Sequence, residues 1–458
     1  MKKHKYIKSI LVIFLLLPFL SCDNYLDIEP KGKQLLESVR DYNLWLDNQS
    51  LRQSSIYGLI YFSDVLDMPT IDDLIDNYSE YSYTWAPQLA SDPFTSSPIW
   101  ASAYNSIYYY NAVINQIDDA IEGTQEEKNK LKAEALLGRA LVYLDLTNLY
   151  GKMYNETTAA TDLAVPFVTS IDITDPTPNR STVEKMYDHI IGDINSAIPY
   201  LPADNSQNRF RGSVAAAYAL LARTYLYMGK YDLAAQNAQL ALDKGPNEIL
   251  QHTTSSTFKD LKVRPDAIYS RVGGSLYYGS VSPTLDLLRS YNRYDQRLPL
   301  HYTTLGDYSF TVRGRTKYSP YGTVASSTAY PNWGIDVAEM RLILAEVAAR
   351  NNETVIACDH LDLLRKKRFA TANYQRFDSN DSEAVLAKII QERILEFPFC
   401  GLRWFDMKRL AAQGKMTTVN RYNGLGNIIA TLQPNSDRYT LQIPIQVMMY
   451  NPEWEQNP

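Results

Sequence analysis

Apolar side chains recur along this chain at helical spacing, most clearly between Ser213 and Lys244. Tyr218, Leu221, Ala222 and Tyr225 fall at i, i+3, i+4 and i+7. Gly229-Lys230 then interrupts, and Tyr231, Ala234, Ala238 and Ala241 resume the stripe until Gly245-Pro246 stops it. The pattern predicts two helices joined by a tight turn, with small residues where they approach. A sister stripe of Ala133, Leu137, Ala140, Leu141 and Leu144 runs through Lys132 to Tyr150 and ends at Gly151. Two further helices are predicted over Asp336 to Arg350 and Thr354 to Arg368.

The Ser213 to Lys244 pair resembles a tetratricopeptide repeat in its turn glycine, its paired alanines and its closing Pro246. A lone repeat cannot bury its own faces, so several should stack. The expected fold class is all-α dominated: a tetratricopeptide-like helical repeat scaffold, with repeats at about 100–150, 181–245 and 336–412. One domain over 22–458 is expected, not several.

Four stretches lack a 3.6-residue period: Ser63 to Pro98, Tyr154 to Arg180, Ile249 to Pro283 and His301 to Asn332. Loops this long in a compact body are usually functional or disordered, and their aromatic content argues against disorder. They predict an irregular, loop-rich ligand face. The densest aromatic run is Tyr78, Tyr81, Tyr83 and Trp85. Tyr81, Tyr83 and Trp85 alternate, so an extended strand would turn all three to one face. Such a face suits a sugar ring, whose C–H surfaces are apolar and whose hydroxyls need hydrogen bonds. The other reading is a loop packed down by its own rings. Tyr277 and Tyr278 are added as candidate glycan-binding residues on local composition alone.

Composition sharpens this picture at the N-terminus. Lys2, Lys3, Lys5 and Lys8 precede eleven residues, Ile10 to Leu20, that are apolar but for Pro18, and the run stops at Ser21-Cys22. That is too short for a membrane span and reads as a secretory leader over residues 1–21. A small residue directly before a cysteine resembles the lipobox of bacterial lipoproteins. The resemblance implies cleavage before Cys22 and lipidation of its thiol, and two acyl chains anchor a protein stably. Losing four lysines from a chain of net charge −6 leaves −10, which argues against nucleic acid and anionic lipid as partners.

The remaining cysteines, Cys358 and Cys400, are too few for a disulfide scaffold and read as buried small hydrophobes. Tyrosine stands out at 35 residues; its ring and polar tip suit wet, partly buried surfaces. No H-E-x-x-H, zinc-spaced cysteine pair or phosphate loop occurs, so no metal or cofactor is expected. The acidic run Asp64, Asp67, Asp72, Asp73 and Asp76 lacks calcium-loop spacing and reads as a solvated loop with capping aspartates. A glycoside hydrolase needs two carboxylates converging on one bond. Glu392 and Glu396 lie one helical turn apart among arginines and read as salt-bridge partners, so no enzymatic activity is expected.

The matching segments run from end to end. They include Asn24 to Gly32 after the lipobox, Trp100, Tyr104, Ile107 and Asn111, and Ala133 to Gly151. Arg180 to Val183, Asp295 to Arg297, Ala338 to Val347 and Leu364 to Arg368 follow. Gln391 to Leu410 is the strongest, with Glu392, Arg393, Glu396, Gly401, Arg403, Trp404, Asp406 and Arg409 in pattern, and Leu441 to Ile445 and Asn451-Pro452 with Gln456-Asn457-Pro458 close the series. In this order the chain resembles the SusD/RagB family of surface nutrient-binding lipoproteins. The resemblance implies an outer-membrane, lipid-anchored protein facing the cell exterior. It also implies capture of an oligosaccharide and a role as lid on a SusC-like TonB-dependent transporter. The alternative is a peptide-binding tetratricopeptide-like module at the same location. Glu392, Arg393, Arg403 and Asp406 are expected to form ion pairs that knit the helices.

Overall fold

The computed structural model describes residues 36–72, 75–90, 92, 94–253, 260–273, 282–319 and 331–458. Cys22, Tyr277 and Tyr278 lie outside the described residues. One compact unit covers Ser38–Pro458. Its frame is a series of helices: α1 (Pro98–Gln116), α2 (Gln125–Tyr150), α3 (Val183–Ala197), α4 (Val214–Tyr227) and α5 (Tyr231–Lys244), then α6 (Val337–Arg350), α7 (Thr354–Arg365), α8 (Ser382–Glu396) and α9 (Leu402–Ala412). Neighbours in sequence pack in pairs, α1 on α2, α2 on α3, α4 on α5 and α6 on α7, and α6 also packs on α5 and α8.

Local chemistry sets the helix ends. The Thr124 hydroxyl and the Glu127 carboxylate cap each other's backbone amides at the start of α2, and Ser213 accepts from the Ala216 amide at the start of α4. These side chains satisfy amides that have no partner within the helix. Gly229 lies at φ +72° between α4 and α5, a conformation glycine adopts without strain. Ala234, Ala238 and Ala241 are completely buried. At Gly245 a Cβ would come within 2.5 Å of the Ala215 methyl, so the expected small-residue seam is present.

Four short two-stranded antiparallel sheets join the intervening loops among the described residues: β1 (Leu66–Asp67) with β5 (Ser282–Pro283), β2 (Leu163–Pro166) with β3 (Arg180–Thr182), β4 (Ala267–Tyr269) with β6 (Ile335–Asp336), and β7 (Val419–Tyr422) with β8 (Ile428–Leu432). The stretches without helical period therefore hold strand pairs as well as irregular backbone. Helix α7 ends at Arg365, before the expected Arg368, because Arg368 turns inward to Glu396.

The buried charges are paired across helices. Arg393 bonds Asp406 at 2.8 Å and Glu339 at 3.2 Å, and Arg409 bonds Asp406 at 2.8 Å and Glu346 at 2.6 Å. Arg297 reaches Asp295 at 2.7 Å, Glu392 at 2.6 Å and Glu396 at 2.9 Å. Burial alone would raise the Glu396 carboxyl, but the guanidiniums of Arg368 and Arg297 overturn that and lower it to about 2. The expected pairing of Glu392, Arg393 and Asp406 is thus present, and Arg403 reaches further, to Asp64 at 2.6 Å. Asp64 and Asp67 are therefore not simply loop aspartates in water: Asp64, 20% exposed, holds Arg403, and Asp67 is 6% exposed. Cys358 and Cys400 are buried and unpaired with each other.

The C-terminal segment returns to the first repeat. The Asn457 amide donates to the carbonyls of Tyr150 and Leu441 at 2.7 Å each and accepts from Arg180 at 2.6 Å. It thereby satisfies an orphan carbonyl at the end of α2.

Candidate functional site

The β1–β5 pair brings Asp64 to Asp67 beside Thr284, whose hydroxyl caps the short helix Leu285–Ser290. Strand β7 closes the far side. Between them lies an open cavity of about 550 Å³ lined by Asp67, Tyr83, Asp286, Arg289, Arg313 and Tyr422, among others. This lies within the ordinary size range of ligand pockets.

At its centre Arg313 grips Asp67 with two hydrogen bonds, 2.7 and 2.6 Å, and donates a third to the Asn423 carbonyl at 2.9 Å. A bidentate guanidinium–carboxylate pair is strong and fixed in direction. The Tyr83 hydroxyl adds a bond to Asp67 at 3.0 Å. Three loops are thereby held in one arrangement. Beside this pair, Arg289 meets Asp286 only at 4.0 Å, with both side chains at least half exposed, so its guanidinium remains open to a ligand.

The aromatic cluster expected to form a strand is a short helix, Tyr78–Tyr83. The Asn77 side chain accepts from the Glu80 amide, which starts the helix. The shared strand face is therefore a correction: Tyr81, Tyr83 and Trp85 do not line up. Tyr81 is half-buried, whereas Tyr83 is 1% and Trp85 4% exposed. Trp85 sits at φ +53°, an uncommon conformation for a bulky residue, and its indole nitrogen donates to the Phe62 carbonyl at 2.9 Å. Both rings flank Arg421, whose guanidinium lies 4.2 Å from the Tyr83 centroid and 4.5 Å from that of Trp85. Arg421 donates to four carbonyls, those of Tyr61, Ser63, Leu66 and Tyr83, at 2.7 to 3.0 Å. Tyr83 lines the cavity but is only 1% exposed.

The accessible aromatic on the cavity is Tyr422, 38% exposed at the end of β7. Sequence reasoning missed it. The available signal was Asn423-Gly424 between two runs rich in β-formers, a hairpin pattern. Among the described residues no cluster of His, Cys, Asp and Glu could hold a metal ion. Glu392 and Glu396 are spent on Arg297.

The frame of paired helices is an all-α repeat architecture that solved structures share. A SusD superfamily protein from Bacteroides thetaiotaomicron superposes with a TM-score of 0.71 at 20% identity, covering 92% of this chain and 100% of that one. A SusD-like carbohydrate binding protein from Bacteroides vulgatus gives 0.66 at 17% identity, covering 91% and 97%. At these identities the likeness shows the fold. In sequence, a family model described as starch-binding associating with outer membrane matches residues 24–226, and one described as the SusD family matches 301–458. SusD-like protein P2 of Formosa agariphila is 26% identical over 377 residues, 69% of this chain and 71% of the relative. SusD-like protein P38 of the same organism is 22% identical over 360 residues, which span 72% of this chain and 64% of that relative. The chain belongs to the SusD/RagB family. Among the described residues no helix is long and apolar enough to cross a membrane.

Proposed function

We propose that this protein captures oligosaccharides at the outer surface of a bacterial outer membrane, anchored there through a lipidated Cys22, and delivers them as the lid of a SusC-like TonB-dependent transporter. Binding, without catalysis, is the activity assigned. Family membership and the name of the Bacteroides vulgatus neighbour support a carbohydrate ligand.

The observation that carries the site is Tyr422, a half-exposed ring beside the fixed Asp67–Arg313 pair in a cavity of about 550 Å³. A pyranose stacks its C–H face on such a ring, and its hydroxyls exchange hydrogen bonds with Arg289 and Asp286 or with bridging water. Tyr81, Tyr277 and Tyr278 remain candidates for extended contacts of a longer ligand, and Trp85 serves the site from beneath by holding Arg421.

The test is affinity electrophoresis of the purified protein through gels containing plant, fungal and host polysaccharides. Retardation by one glycan class that Tyr422→Ala abolishes supports the assignment. Equal retardation of the variant and the parent removes the site from this cavity, and no retardation by any glycan favours the peptide-binding alternative.

A further inference from the structure

A second cavity, about 620 Å³, lies between α1 and the loop that links β2 to β3. Tyr104, Ile107, Tyr108 and Asn111 fall at i, i+3, i+4 and i+7 of α1 and form one wall; residues 167–178 form the other.

The loop is fastened to that helix. Tyr104 donates to the Pro166 carbonyl at 2.9 Å, Asn111 to that of Val168 at 2.9 Å and Asn115 to that of Thr169 at 2.8 Å. The Tyr143 hydroxyl both accepts from the Val168 amide at 2.8 Å and donates to its carbonyl at 3.0 Å. These five hydrogen bonds, three from α1 and two with Tyr143 of α2, fix Pro166, Val168 and Thr169 in advance, so a ligand need not order that part of the trough.

Within the trough Phe167 is already engaged: His189 stacks on it at 4.0 Å and the Arg139 guanidinium lies 5.2 Å from its centroid. Tyr108 is the opposite case. It is 42% exposed, and its ring partner is Tyr109, edge-on at 6.3 Å and 89°. Ile173, 91% exposed, lines the same cavity. An exposed ring and an exposed apolar side chain thus share a cavity with the polar residues Thr169, Ser170, Asp172 and Thr177.

Charge narrows the ligand class. No lysine or arginine lines this cavity, whereas Asp172 and Asp175 do. The Thr174 hydroxyl and amide hydrogen bonds lower the Asp172 pKa, so it is ionised at neutral pH. Anions are repelled there. The Tyr422 cavity, in contrast, carries Arg289, Arg313 and Arg421 beside Asp64, Asp67 and Asp286.

We infer that the α1 trough is a second saccharide site, selective for a neutral oligosaccharide of two or three pyranose rings, with Tyr108 as the stacking surface and the 169–177 rim as the hydroxyl-binding edge. It stands on different residues from the Tyr422 site and does not depend on it.

Titration calorimetry on the purified full chain carrying Tyr422→Ala tests this directly. The probes are maltotriose, cellotriose, mannotriose, xylotriose, chitotriose and, as the anionic control, tri-galacturonic acid. At least one neutral trisaccharide is expected to bind with one site per chain. Adding Tyr108→Ala should weaken it tenfold or more, Tyr108→Phe should keep it within about threefold because the ring persists, and the tri-uronate should bind at least tenfold more weakly. Absence of binding by every neutral trisaccharide, or binding that Tyr108→Ala leaves unchanged, overturns the inference. Failure of the Tyr422 assignment shows separately, as identical behaviour of the parent and the Tyr422→Ala chain.

Discussion

Arg421 sits 4.2 Å from the ring centre of Tyr83 and also donates to the Tyr83 carbonyl at 3.0 Å, so one aromatic residue seats one buried cation through both its side chain and its backbone. With Trp85 on the same guanidinium, the cluster is a cation–π stack that fixes the backbone under the candidate site. Its role is to hold carbonyls and loops in place.

Removing Trp85 should therefore unfold more than it unbinds. Trp85→Ala deletes a buried ring and orphans the Phe62 carbonyl, and a loss of about 3–5 kcal/mol is expected. Urea denaturation followed by tryptophan-independent circular dichroism measures it. Full stability in this variant would show that the ring is not a packing element.

The ion pairs between helices should divide sharply by burial. Asp406→Asn leaves the guanidiniums of Arg393 and Arg409 buried with one carboxylate fewer, which costs about 3–5 kcal/mol. Arg376→Ala breaks contacts of 2.7 Å to Asp359 and Asp378 at the surface, where such pairs are worth about 1 kcal/mol or less. Denaturant midpoints of the two variants, compared with the parent, give the ratio.

Asp145 on α2 supplies a pH test. Burial raises its pKa to about 7, against a smaller lowering by Arg223 and by the Ser55 hydroxyl. A raised folded-state pKa stabilises the fold below the ordinary carboxyl pKa of 3.8, and that contribution is lost as pH rises through about 7. Asp145→Asn lacks this slope. Relative to the variant, the parent should lose at most about 1.4 kcal/mol per pH unit between pH 4 and 7. Parallel stability curves across that window would place Asp145 in contact with water.

Where periodicity was long, the sequence was legible. The stripe of Ala234, Ala238 and Ala241 is the buried face of α5, and the arginine–carboxylate pattern of Gln391 to Leu410 is the set of ion pairs joining α8, α9 and α6. Tyr81 to Trp85 misled because three alternating aromatics over five residues fit a strand as well as one helical turn. The deciding signal was Asn77 with Glu80, a helix start. The Asp67–Arg313 pair joins residues 246 apart, and no local pattern encodes such a pairing. The Tyr422 cavity is built from three such distant loops, which hid it until they were brought together.

The bond from Asn457 to the Tyr150 carbonyl joins residues 307 positions apart. During synthesis, helix α2 can be complete in length long before its last turn has its partner. The end of the first repeat therefore stays unlatched until residue 457 has been made. Removing that one side chain, as in Asn457→Ala, should act 307 positions away, as fraying of α2 around Tyr150 in a protein whose other repeats are intact.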